Sequence, residues 1–113
     1  MYSRVDLRPG AHVVVGEGLF SVLSYAQLHD YVPDSYVVLN STSCVDYLIR
    51  DLPTWDVEQV TLALDTDKAG FSAMRELYSA FVSHNLHIKV DHPPKVGKDW
   101  NDILLEEQHD RNP

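Results

Sequence analysis

Cysteine is nearly absent from this 113-residue chain: Cys44 stands alone. One thiol excludes an internal disulfide framework and any multi-cysteine zinc ribbon. Long apolar runs are also missing. The longest, around Val13–Val15, falls far short of the roughly 18–20 residues a membrane helix needs. The stretch from Met1 to Gly10 carries no hydrophobic signal-peptide core. The expectation is a cytoplasmic protein with no membrane partner. Cations are scarce: 9 Lys and Arg face 17 Asp and Glu, a net charge of −8. Affinity for nucleic acid comes mainly from cations that neutralise phosphates, so weak DNA binding is expected of the chain alone. If it works on nucleic acid, metal ions or neighbouring domains must supply positive charge. What is present is an ordinary hydrophobic fraction of 44%, enough at this length for one compact domain over residues 1–113.

The order of elements is informative. His12–Gly16 is a β-branched run without polar alternation after His12, the pattern of a buried parallel strand. Leu19 to about Asp30 reads as a helix with Leu19, Val22, Leu23 and Ala26 on one face, broken by Tyr31-Val-Pro-Asp-Ser35. Tyr36–Leu39 is a second strand, and Asn40–Ser43 a polar turn able to cap a helix. Val45, Leu48, Ile49 and Leu52 mark that helix, closed by Pro53. Val60–Leu64 is a third strand. Ala69 to about Ser83 is the strongest helix, with Phe71, Met74, Tyr78 and Phe81 on one stripe. Leu86–Val90 is a fourth strand, Pro93 and Pro94 open a loop, and Asp102 to about Gln108 is a short closing helix. Strand and helix alternate, which implies a three-layer α/β fold: a mainly parallel four-stranded sheet, order 2-1-3-4, flanked by helices. A receiver-like signalling domain shares that pattern but wants an acidic pair after strand one, which the lone Glu17 does not supply.

In open α/β sheets ligands sit outside the carboxyl ends of the strands. Strand one runs into Gly16-Glu17-Gly18, and strand three into Asp65-Thr66-Asp67-Lys68-Ala69-Gly70. Residues two apart in extended backbone point the same way, so Asp65 and Asp67 share a volume. With strands one and three adjacent, Glu17 converges on them. At about 5 Å and an effective dielectric near 20, each such pair repels by roughly 3 kcal/mol. Either the pKa values rise or a cation neutralises the cluster. Hard oxygen ligands favour Mg²⁺ or Mn²⁺. Gly16 and Gly18 allow a sharp turn near a ligand, and Gly70 allows close approach at a helix start. Gly97-Lys98-Asp99-Trp100-Asn101-Asp102 can bring Asp99 and Asp102 to the same rim, with Lys98 as a phosphate contact; the same residues also suit a capped helix start.

These segments resemble the Toprim family over roughly Ala11 to Leu105. The matching motifs are Val15-Gly16-Glu17-Gly18-Leu19-Phe20, Leu64-Asp65-Thr66-Asp67-Lys68-Ala69-Gly70 and the ending Lys98-Asp99-Trp100-Asn101-Asp102. The last is similar to Toprim-like domains of mobile-element proteins rather than replicative primases. The resemblance implies a primase-like DNA replication function: magnesium-dependent nucleotidyl transfer, on nucleic acid and nucleotides reached through a larger parent protein. Glu17 is then the general acid/base, with metal contact, and Asp65 and Asp67 are metal ligands; Asp99, Asp102 and Lys98 are additional candidates. The alternatives within the family are a Toprim nuclease and a non-catalytic interaction module in recombination or replication.

The remaining chemistry-bearing residues read more plainly. His84, His87 and His92 are expected to be exposed loop histidines rather than a zinc site. Cys44 is expected to be a small buried residue. Trp100 is expected to anchor the last helix in preference to stacking on a base, and Lys68 and Arg75 to be helix-surface charges in preference to phosphate contacts.

Overall fold

The computed structural model describes residues 2–7, 10–29, 33–40, 44–91, 93 and 100–111. Five strands form one sheet: β1 (Ser3–Asp6), β2 (His12–Gly16), β3 (Ser35–Val38), β4 (Gln59–Leu62) and β5 (His87–Val90), in the order β1-β3-β2-β4-β5. The four strands expected from sequence stand in the expected order and pair in parallel. The sheet is nevertheless five-stranded, because β1 adds to its edge, antiparallel to β3, with Ser3 opposite Val38 and Asp6 opposite Ser35. All four β1 residues are exposed. An edge strand with one apolar residue in four buries too little surface to leave a hydrophobic pattern.

Four helices among the described residues cover the sheet: α1 (Leu19–Leu28), α2 (Val45–Asp51), α3 (Lys68–Val82) and α4 (Trp100–Arg111). A 3-10 turn at Leu52–Thr54 carries Pro53 and ends the α2 segment. Alternation within the strands sends neighbours to opposite faces. Val13, Val15, Val37, Leu39, Val60 and Leu62 pack on one face with Leu48 of α2 and Ala73, Leu77 and Phe81 of α3. Val14, Tyr36, Val38 and Ala63 pack on the other with Val22 and Tyr25 of α1 and Trp100 of α4. Both faces of the central strands are therefore dry, which is why β2 reads as continuous valine.

Two helix faces differ from expectation. In α3 the buried residues are Gly70, Ala73, Leu77 and Phe81; Phe71 and Met74 are half-buried and Tyr78 is 44% exposed. Phe81 belongs to both stripes, and the other three buried positions each lie one residue before the expected ones. The smaller side chains win because they let the helix sit close to the sheet. In α1, Leu23 is 47% exposed, while Ser21, Val22, Ser24 and Tyr25 are buried, because α4 packs against this helix and covers the hydroxyl-bearing side. Part of the expected helix break (Tyr31 and Val32), the turn residues Ser41–Ser43, and His92, Pro94, Lys98 and Asp99 lie outside the described residues.

Candidate metal centre

The ladder does not stop where the strands do. Beyond β2 and β3, Leu39 N donates to Gly16 O at 2.9 Å and Asn40 N to Glu17 O at 2.8 Å; beside β4, Ala63 N donates to Val15 O at 2.8 Å. The backbone at Glu17 is thus held by a neighbouring strand as it leaves the sheet. Asn40 does this from a left-handed conformation, φ 65°, which few non-glycine residues tolerate and Asn tolerates best. Its side-chain Nδ2 also donates to Ser3 Oγ at 3.1 Å, tying the rim to β1.

After β4, Ala63 and Leu64 are buried, Asp65 is half-buried, Thr66 is buried and Asp67 is exposed. Asp67 caps α3: its Oδ1 accepts the Gly70 N–H at 2.6 Å from an extended backbone. Glu17, Asp65 and Asp67 each offer a carboxylate oxygen, and these three oxygens all lie within 4.8 Å of one another. The residues expected to converge do so.

The electrostatics follow. Glu17 Oε1 is buried and makes no hydrogen bond. Burial first, then the negative charges of Asp65 and Asp67, push the Glu17 carboxyl up from 4.5 to about 7; the backbone N–H of Asp65 offsets only part of this. Gly70 explains how the carboxylates come so close to the helix. A Cβ there would lie 2.2 Å from Asp65 O and 2.7 Å from Glu17 Oε1, so no side chain fits. Gly16 is needed for a different contact, since its Cβ would lie 2.3 Å from Val22 Cγ2. Gly18 corrects the expected sharp turn: its backbone is ordinary and extended, φ −127° and ψ 159°. A Cβ there would meet no described residue within 4 Å.

The donor set fits a hard divalent cation. It is all oxygen and all carboxylate, and the buried Glu17 Oε1 lacks a hydrogen-bond donor. Of the third acidic segment, Asp102 is half-buried in the first turn of α4 and does not belong to the converging group. Trp100, 3% exposed, anchors α4. Its Nε1 donates to Ala63 O at 3.2 Å, two residues before Asp65. It meets Tyr25 edge-on at 4.8 Å and His29 at 5.3 Å. Asp91, just past β5, accepts from Tyr25 Oη at 3.0 Å and lies 3.2 Å from His29 Nε2. Sequence reasoning expected Trp100 to anchor the last helix and Asn40 to lie in a turn, but missed the bracing by Tyr25, His29 and Asp91 and the hold of Asn40 on Glu17. Only the tolerance of Asn for left-handed backbone offered a signal. His84 and His87 are exposed, Cys44 is buried in the core, and Lys68 and Arg75 are exposed on α3.

Comparisons with known proteins agree with this geometry. The model of the Toprim-like family matches residues 14–104. Among solved structures, the primase fragment of the bacteriophage T7 primase-helicase protein is 28% identical with a TM-score of 0.67, covering 93% of this chain and 42% of that one. A DNA primase domain from Pseudomonas aeruginosa is 19% identical with a TM-score of 0.55, covering 90% of this chain and 32% of that one. This chain therefore spans less than half the length of either. No curated protein matched. A family match over residues 14–104, nearly the whole length of the chain, makes this chain a member of the Toprim-like family.

Proposed function

We propose that this chain is the metal-holding domain of a primase-like protein and takes part in magnesium-dependent nucleotidyl transfer. The observation that carries the reading is the meeting of Glu17, Asp65 and Asp67, with ligand oxygens within 4.8 Å of one another. The likeness to the T7 primase fragment, at 28% identity over 93% of this chain, favours primer synthesis over other phosphodiester chemistry. The ending Lys98-Asp99-Trp100-Asn101-Asp102 favours a mobile-element setting, and the lone buried thiol of Cys44 suits a reducing cytoplasm.

Glu17, Asp65 and Asp67 would hold the cation. When bound, it would supply positive charge that offsets the negative charge developing in phosphoryl transfer. The chain's own residues do the rest. Asp67 fixes the start of α3 through its bond to Gly70 N. Glu17 would accept the proton of an attacking 3′-hydroxyl as general base. The bond formed joins that oxygen to the α-phosphorus. The bond broken is to the bridging oxygen of the β-phosphate, and pyrophosphate leaves with the electron pair. Nucleic acid is then a partner mainly through other parts of the protein, because a net charge of −8 repels phosphates.

The test is template-directed primer synthesis by the intact protein carrying Asp65→Asn or Glu17→Gln. Loss of at least about 100-fold in rate with folding unchanged is the expected result. Unchanged synthesis would overturn the assignment. Metal-dependent cleavage of nucleic acid without any nucleotide requirement would point to the nuclease reading. Neither activity, with metal binding also absent, would leave the interaction module.

A further inference from the structure

A groove of about 480 Å³ lies between the start of α2 and the first half of α3, the helix whose N-terminus Asp67 caps. Its walls are Val45 from α2 and Lys68, Ala69, Ser72, Ala73 and Glu76 from α3. The α3 residues recur at helical spacing, so they form one strip running away from Asp67. From Lys68 to Glu76 that strip is roughly 12 Å long at 1.5 Å per residue. The groove's volume lies within the roughly 300–1,000 Å³ of small-molecule sites.

The lining is graded. Lys68 comes first, next to Asp67, and makes no ion pair with any described residue. It is a cation beside an acidic cluster in an acidic chain. A side chain so placed serves an anion that approaches the cluster, and a phosphate that shares the carboxylates' cation is such an anion. The middle is small and largely apolar, made by Val45, Ala69 and Ala73, which leaves room for a flat ring or a sugar. Ser72 and Glu76 supply a hydroxyl and a carboxylate along the strip and at its far end. These can pair with ribose hydroxyls or with a base amino group.

Resting on the metal-centre reading above, we propose that this α2–α3 groove receives the sugar and base of a nucleoside triphosphate whose phosphates lie at Lys68 and the carboxylates. Lys68 and Glu76 thereby mark the two ends of the bound nucleotide. Ser72 lies between them, so bulk at that position blocks the nucleoside without touching the metal ligands.

The experiment is an NMR titration of the chain, first with MgCl₂ alone and then with ATP in saturating MgCl₂. Magnesium alone should shift Glu17, Asp65 and Asp67 signals in the wild type and equally in Ser72→Trp. ATP should then shift Val45, Ala69, Ser72 and Glu76, with at least a tenfold weaker Kd in Ser72→Trp and about a threefold to tenfold weaker Kd in Lys68→Ala. Lys68→Glu and Glu76→Lys provide the same comparison without added bulk, should the tryptophan disturb folding. If ATP binds Ser72→Trp, Lys68→Glu and Glu76→Lys as tightly as the wild type, or shifts only the carboxylates, the groove assignment is wrong while the metal centre stands. If a single-stranded oligonucleotide shifts the groove and ATP does not, the occupant is wrong. If magnesium shifts none of the three carboxylates, the metal reading fails and the groove proposal falls with it.

Discussion

Around β1, Asp6 accepts from Ser35 Oγ at 2.7 Å and from Arg4 at 2.8 Å, and Asp51 accepts from Tyr2 Oη at 2.6 Å and from Arg50 at 2.8 Å. Both carboxyls titrate below their ordinary value, chiefly because of those side-chain hydrogen bonds. At the ends of β2 and β4 the same chemical group is treated in the opposite way. Glu17 is desolvated, one of its oxygens has no donor, two more carboxylates stand within 4.8 Å, and its pKa rises to about 7. The first region uses charge where water and partners make it cheap. The second concentrates charge where the fold alone leaves it destabilising. A protein keeps such a cluster where the missing partner is a ligand.

The contrast breaks most severely at Gly70. Gly70→Ala places a methyl 2.2 Å from Asp65 O and 2.7 Å from Glu17 Oε1. A loss of about 1–3 kcal/mol of stability is expected, together with at least a tenfold weaker Mn²⁺ affinity, read by denaturant melts and by metal titration. An alanine variant with wild-type metal affinity would show that the helix start does not shape the cluster.

Asn40 comes next. Asn40→Val forces a β-branched residue to φ 65°, at a cost of about 1–2 kcal/mol. Asn40→Gly keeps the backbone and loses the side-chain bond to Ser3. The glycine variant should retain metal affinity while the valine variant weakens it, because the Asn40 N–H holds Glu17 O. Equal affinities would place Asn40 outside the site.

The pH dependence separates the two regions by sign. Glu17 holds its proton more tightly when folded. Between pH 4.5 and about 7 the native state therefore binds more protons than the unfolded one, and metal-free stability falls as pH rises through that window. Asp6 and Asp51 behave in the usual way: their stabilisation is present above 3.8 and is lost as pH falls through their lowered values. Glu17→Gln should accordingly stabilise the metal-free protein at pH 8, by about 1 kcal/mol once solvent screening is allowed for. Saturating magnesium should reverse that ranking in a thermal melt. A destabilised Glu17→Gln in EDTA would contradict the electrostatic account.

The smallest effect belongs to the β1 flank. Arg4 pairs with Asp6 and lies over the Trp55 ring at 4.1 Å from its centroid. Arg4→Ala should cost less than about 1 kcal/mol and leave metal binding unchanged. A change in metal affinity would mean that β1 acts on the centre through Ser3 and Asn40.

The central sheet was legible in the chain because β2, β3 and β4 are buried on both faces. Such strands must be continuous apolar runs, and runs are visible without partners. The candidate centre was legible for a related reason: an acidic residue directly after a buried strand has no packing role to explain it, and two such strands ended that way. β1 was not legible, since three of its four residues are polar and its pairing is edge-on backbone bonding. The buried face of α3 was misread by one position, because Gly70 and Ala73 are buried for their smallness, which hydrophobicity does not report.

The amino-acid order by itself thus determined which strands are central and which three carboxylates approach one another. Only the tertiary structure decided how close they come, that Asp67 also caps a helix, that Gly70 leaves no room for a side chain, and that Asn40 holds the rim in a left-handed turn. Those features depend on atoms brought together from distant parts of the chain. Their strength comes from distance and desolvation, which have no value until the chain has packed.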